Sequence, residues 1–110
     1  MQPKVSVILC THNPREDYLS SVIAGLQQQT LPRQDWQLLV IDNASQHPLS
    51  DRLDLSWHLD ATILREEQLG LTHARLCGYR SAKASLLVFV DDDNVLQADY
   101  LTEVVQIFQK

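Results

Sequence analysis

Five consecutive apolar residues, Leu86–Val90, run directly into Asp91, Asp92, Asp93 and Asn94, and no other feature restricts the fold of this chain as much. An apolar run without polar alternation reads as a strand covered on both faces, the situation of a parallel sheet between two helical layers. Three further segments fit the same scheme. Lys4–Cys10 stops at Thr11-His12-Asn13-Pro14, Trp36–Ile41 stops at Asp42-Asn43-Ala44-Ser45, and Ala61–Leu64 makes a short third strand. Helical spacing fills the intervals. Leu19, Val22, Ile23 and Leu26 fall on one face of a helix that Pro14 opens and Thr30-Leu31-Pro32 closes. A second helix spans about Leu71–Ala84, where Ala74, Gly78 and Ala82 form a small-residue stripe suited to lying close on a sheet. Leu101, Val104, Val105 and Phe108 predict a last helix. Residues 46–60 read as either a short helix or a loop. Strands alternating with helices make an α/β fold with a parallel sheet, in a single domain spanning residues 1–110.

Composition removes several classes of function. Nine basic against fourteen acidic side chains give a net charge of −5, which repels nucleic acid and anionic membrane. No apolar run approaches the roughly 20 residues of a membrane span, and Val5–Cys10 is too short for a secretory signal, so the expected location is the cytoplasm. Two cysteines, Cys10 and Cys77, both in apolar segments, read as packed reduced thiols. No Gly-rich phosphate loop or nucleophile elbow is present, which removes support for hydride transfer, P-loop hydrolysis and esterase chemistry.

Ligands of open parallel sheets bind beyond the carboxyl ends of the strands. Three polar clusters, Thr11–Asn13, Asp42–Ser45 and Asp91–Asn94, lie at such ends. In extended backbone Asp91 and Asp93 share a side, with Cα atoms roughly 6 to 7 Å apart, and Asp92 faces the other way. That spacing suits one carboxylate for a hard divalent cation and the other for a hydroxyl or water; the alternative is a solvated acidic loop before the last helix. Asp42 and Asn43 offer acceptors and donors for a base or ribose edge, or else form an Asx turn. Arg75, on the helix with the small stripe, could reach a phosphate as a bidentate donor or make only a surface ion pair.

The segments VSVILCTHNP, LLVIDNAS, EEQLGLTHARLCGYRSA and LLVFVDDDN, in this order and spacing over nearly the whole chain, resemble the nucleotide-sugar-binding half of a family 2 glycosyltransferase. The resemblance implies the GT-A fold: a Rossmann-like three-layer sandwich with a mainly parallel sheet of order 3-2-1-4. It implies a nucleotide-sugar donor, a Mg²⁺ or Mn²⁺ ion, and a saccharide or other hydroxyl acceptor in the complete enzyme. Carried over by position, Thr11, His12 and Asn13 would line the base pocket, and Asp42 and Asn43 would read the base edge. Arg75 would match the Ala-Arg pair of the family, Asp91 would contact ribose or sugar, and Asp93, with Asp91, would hold the metal. Asn43 stands where many members have Asp, His12 where Tyr is common, and Leu76 where Asn usually follows the Arg. Members generally continue for a further hundred residues or more, so the general base is expected beyond Lys110 and the 110 residues alone are expected to bind without transferring sugar. A non-catalytic nucleotide-sugar-binding remnant is the alternative. A phospho-receiver domain fits poorly, because its acidic pair belongs near the first strand. With the fourth strand left at an edge, self-association is expected.

Overall fold

The computed structural model describes residues 2–109 as four strands and three helices. The strands are β1 (Val5–Thr11), β2 (Trp36–Asn43), β3 (Ala61–Glu66) and β4 (Leu87–Asp91). The helices are α1 (Glu16–Gln27), α2 (Leu71–Ser81) and α3 (Tyr100–Phe108). The sheet has the order β3-β2-β1-β4, and all three pairings are parallel. This is the expected 3-2-1-4 order. Chain direction reverses laterally between β1 and β4, so the topological switch point lies at those two strands.

Alternation along each strand divides the core in two. Val5, Val7 and Leu9 of β1, Leu38 and Val40 of β2, and Val88 and Val90 of β4 face one way, against Leu19, Val22, Ile23 and Leu26 of α1 and Leu101 and Val105 of α3. Ile8, Leu39 and Ile41 face the other way, against Ala74 of α2. The small-residue stripe explains how closely α2 sits. A methyl group built on Gly78 would lie 2.5 Å from Ile8 Cγ2, so only hydrogen fits there.

Ser6 and Gln37 interrupt the apolar strands for an identifiable reason. Ser6 donates its hydroxyl to Gln37 Oε1 at 2.7 Å, and the N–H groups of Lys83 and Ala84 donate to Gln37 Oε1 and Ser6 Oγ. Both buried side chains thereby fasten the link from α2 to β4 beneath the sheet.

Several boundaries differ from the sequence reading. β1, β2 and β4 each run one or two residues further, because the parallel ladder continues through the pairs Thr11–Asp42, Asn43–Glu66 and Cys10–Asp91. Polar side chains at these ends do not prevent backbone pairing. Segment 46–60 contains a single 3₁₀ turn, Leu49–Asp51, with Leu49 and Leu55 buried. Phe108, expected on the inner face of the last helix, is 69% exposed. No helix among the described residues is long and apolar enough to cross a membrane.

Candidate functional site

A cleft of about 450 Å³ opens at the carboxyl ends of the strands, at the switch point. The ends of β1 (Cys10, Thr11) and His12 form one part of its lining, and Asp91, Asp92 and Asp93 another. Asn43 and the start of α2 (Leu69, Gly70, Leu71, Ala74) complete it. Of the residues expected at a site, Thr11, His12, Asn43, Asp91 and Asp93 meet here. Asn13, Asp42 and Arg75 are not in the lining.

The acidic cluster has a different geometry from the extended one expected. β4 ends at Asp91, and the chain turns at once, with the Asn94 N–H donating to the Asp91 carbonyl at 3.1 Å. Asp92 is therefore turned back over the sheet rather than away from it, and its Oδ2 accepts the Thr11 hydroxyl at 2.6 Å. The bond ties β4 to β1 across the switch point and fixes one wall of the cleft. Asp91 and Asp93 remain exposed, with their carboxylates free of hydrogen bonds and ion pairs among the described residues. Such oxygen donors suit a hard cation. Among the described residues no three His, Cys, Asp or Glu side chains converge on one point. These side chains could offer a cation at most two carboxylates, fewer than a Mg²⁺ shell holds.

Asp42 is 1% exposed and fully engaged below the cleft. Its Oδ1 accepts the Ser45 N–H, and its Oδ2 accepts the Leu49 N–H at 2.9 Å and Arg65 Nη1 at 3.1 Å. Burial alone would push this carboxyl up; the hydrogen bonds from Ser45, Leu49 and Arg65 outweigh it and hold the group below the ordinary carboxylate value. Asp42 thus fastens the loop after β2 through N–H groups three and seven residues on, a longer reach than the two-residue span of an Asx turn.

Asn43 is 4% exposed and equally committed. Its Nδ2 donates to the carbonyls of Glu66 at 3.1 Å and Gln68 at 2.8 Å, and its Oδ1 accepts the Gly70 N–H at 2.9 Å. Its own carbonyl faces His12 Nδ1 at 2.7 Å, so that nitrogen carries the proton, and His12 Nε2 accepts from Asn13 Nδ2 at 3.1 Å. Asn13 sits at φ 44°, a left-handed conformation that Asn tolerates. From there its N–H donates to Ser45 Oγ, and its Oδ1 accepts the Gln46 N–H. Asn13 therefore joins the loops after β1 and β2.

Arg75 is exposed on α2, its guanidinium 5.7 Å above the ring of Phe89 on β4. The cysteines are free, and burial pushes the Cys10 thiol up to about 11, so it lines the cleft as a packed thiol rather than a nucleophile. Sequence reasoning missed Leu69 and Gly70 as wall residues and Arg65 as the partner of Asp42. Gly70, at φ 146°, gave the available signal: an isolated glycine between two leucines at the entry to a helix.

The comparisons with known proteins converge. The model of the family described as Glycosyl transferase family 2 matches residues 6–110. The chain is 28% identical over 94 residues to the glycosyltransferase AglE of Haloferax volcanii, covering 83% of this chain and 31% of that protein. It is 24% identical over 107 residues to an uncharacterized glycosyltransferase of Haemophilus influenzae, covering 96% of this chain and 35% of that one. Among solved structures, S. aureus TarS 1-349 in complex with UDP-GlcNAc superposes with a TM-score of 0.86 at 22% identity, over 96% of this chain and 31% of that one, and shows the shared fold. The mannosyltransferase PcManGT from Pyrobaculum calidifontis, in complex with GDP-Man and Mn²⁺, gives 0.70 at 27% identity, over 84% of this chain and 28% of that one. The chain thus spans about a third of the length of the curated relatives it matches.

Proposed function

Because the chain belongs to glycosyl transferase family 2, we propose that its switch-point cleft binds the nucleoside diphosphate of a nucleotide-sugar donor, for transfer of the sugar to an acceptor hydroxyl. One observation carries the reading: two carboxylates without partners among the described residues, Asp91 and Asp93, stand in a cleft at the carboxyl ends of β1 and β4, beside the start of α2.

In this reading Asp93 holds a Mg²⁺ or Mn²⁺ ion together with Asp91, and Asp91 also meets the ribose or sugar. When bound, the cation neutralises charge that grows on the diphosphate leaving group. Asp92 acts differently: held by Thr11, it keeps the turn that presents its two neighbours. Among the described residues no side chain caps α2, so its first-turn N–H groups stand at the cleft with the positive end of the helix dipole toward a bound phosphate. His12 contributes its ring to the wall for the base, oriented by the Asn43 carbonyl. Asn13 and Asp42 act from behind, by fixing the loops after β1 and β2. Arg75 would have to leave the Phe89 ring to reach the diphosphate. No residue among those described is assigned as the general base.

Titration calorimetry of the chain with UDP and with GDP, in Mn²⁺ and then in EDTA, tests the reading. Binding in Mn²⁺ that weakens at least about tenfold in chelator is expected. Equal affinity under both conditions would remove the cation from the account, and absence of binding to either nucleotide would remove the donor site.

A further inference from the structure

Asn43 lies in the cleft at a position where a base-reading side chain is expected, yet no polar atom of its carboxamide is free. Both donor positions of Nδ2 go to the Glu66 and Gln68 carbonyls, and Oδ1 takes the Gly70 N–H. The partners are the last residue of β3, Glu66, and two residues of the loop that follows it to α2, which places Leu69 and Gly70 in the cleft wall. The other hydrogen bonds of the segment are local in sequence: the Gln68 N–H donates to Glu66 Oε2 at 3.0 Å, Arg65 Nε donates to Glu67 Oε1 at 2.7 Å, and the Ala74 N–H donates to the Gly70 carbonyl at 3.1 Å. Leu69 is 61% exposed, so packing does not hold it. Gly70 needs its unusual φ of 146° to bring its N–H onto Asn43.

We propose that Asn43 is a positioning residue: its carboxamide holds the loop from β3 to α2 as a wall of the nucleotide cleft and makes no contact with the base. The proposal rests on the donor-site reading above. It also explains why Asn, and not Asp, stands at this position. The two carbonyls of Glu66 and Gln68 require a donor, and a carboxylate there would face two acceptors at hydrogen-bond distance while buried. Asn43→Asp keeps the size of the side chain and reverses that polarity. At neutral pH the variant repels the loop; at acid pH a protonated carboxyl regains one donor.

The test pairs Asn43→Asp with amide hydrogen exchange and with nucleoside diphosphate titration in Mg²⁺. In the nucleotide-free chain, exchange at Gln68, Leu69 and Gly70 is expected to accelerate roughly tenfold or more in the variant, and to slow again as pH falls from 8 to 5 once the intrinsic pH dependence is removed. Affinity for UDP, GDP and CDP is expected to fall by a common factor of roughly ten. Gly70→Ala, which leaves Asn43 intact and strains the same loop, is expected to show the same base-independent loss, so the conclusion does not depend on Asn43→Asp folding. Unchanged loop exchange with a loss confined to one base would overturn the proposal and make Asn43 a base reader. If no nucleotide binds the parent chain, the donor-site reading fails by itself, while the exchange measurement still decides whether Asn43 holds the loop.

Discussion

Adding one methyl group at Gly78 is expected to loosen the α2 face of the sheet, although the same change stabilises most helices. Replacing an interior helical glycine by alanine normally gains about 0.5–1 kcal/mol through backbone entropy. Here the new Cβ would lie 2.5 Å from Ile8 Cγ2, 3.3 Å from Cδ1 and 3.4 Å from Cγ1. Carbon pairs rest at about 3.5–4.0 Å, so the closest contact is short by about 1 Å or more. Ile8 is fully buried on the central strand and has no room to turn away. Either α2 lifts from the sheet or Ile8 leaves its rotamer, an overpacking cost of about 1–3 kcal/mol. The propensity gain offsets part of it, leaving about 1–2 kcal/mol of net destabilisation. For a domain of this size that is a drop in Tm of about 5–15 °C. Thermal and urea melts of Gly78→Ala, Ile8→Ala and the double variant measure it, with a favourable coupling of about 1 kcal/mol or more because the second change makes room for the first. A higher Tm for Gly78→Ala, or strict additivity, would refute the close-contact reasoning.

Four further outcomes are expected. Asp93→Ala should abolish the cation dependence of nucleotide affinity with a Tm change of no more than about 2 °C, whereas Asp92→Ala should lower Tm by several degrees as the Thr11 hydroxyl loses its acceptor, at roughly 1 kcal/mol for such a bond; calorimetry and melts on the same samples separate the two. Arg75→Ala should leave nucleotide affinity within about twofold if its guanidinium stays over Phe89, and a tenfold loss would show that it swings to the diphosphate. Burial pushes the His58 imidazole below its ordinary value of 6.5, so the folded state favours the neutral ring; its stabilising effect is complete above that pH and is lost as pH falls toward the lower folded value, a slope that His58→Phe should flatten in melts between pH 7.5 and 5. Finally, β4 forms an edge of the sheet with Phe89 45% exposed, so self-association at micromolar concentration is expected in sedimentation, and Phe89→Lys should return a monomer.

The layout of the fold was readable because strand and helix periodicities are local signals. Four apolar runs and three helical faces, in that order, leave few alternatives to a parallel sheet with helices on both sides. The position of the cleft followed from topology, since polar clusters after parallel strands collect at one edge. What the sequence did not disclose depends on partners far along the chain. Asp42 and Arg65 pair across 23 residues, and Thr11 and Asp92 across 81, with no periodicity to announce either contact. Nor did composition show that Asn43 would be occupied by backbone carbonyls, since every loop has such groups. The Asp91–Asp93 geometry was misjudged for a simpler reason: strand spacing was extended past Asp91, where a turn takes over.

The central claim is that the ends of β1 and β4 and the start of α2 form one nucleoside diphosphate site. Two-dimensional amide spectra of the isotope-labelled chain, recorded during titration with UDP in Mg²⁺ and repeated with trace Mn²⁺, test it residue by residue. The account requires saturable shifts at Thr11, His12, Leu69–Leu71 and Asp91–Asp93, with Mn²⁺ broadening strongest at Asp91 and Asp93. Shifts centred instead on the separate groove lined by Glu16, Leu19, Ile23, Arg52 and Leu53, or broadening that spares the acidic turn, would contradict it.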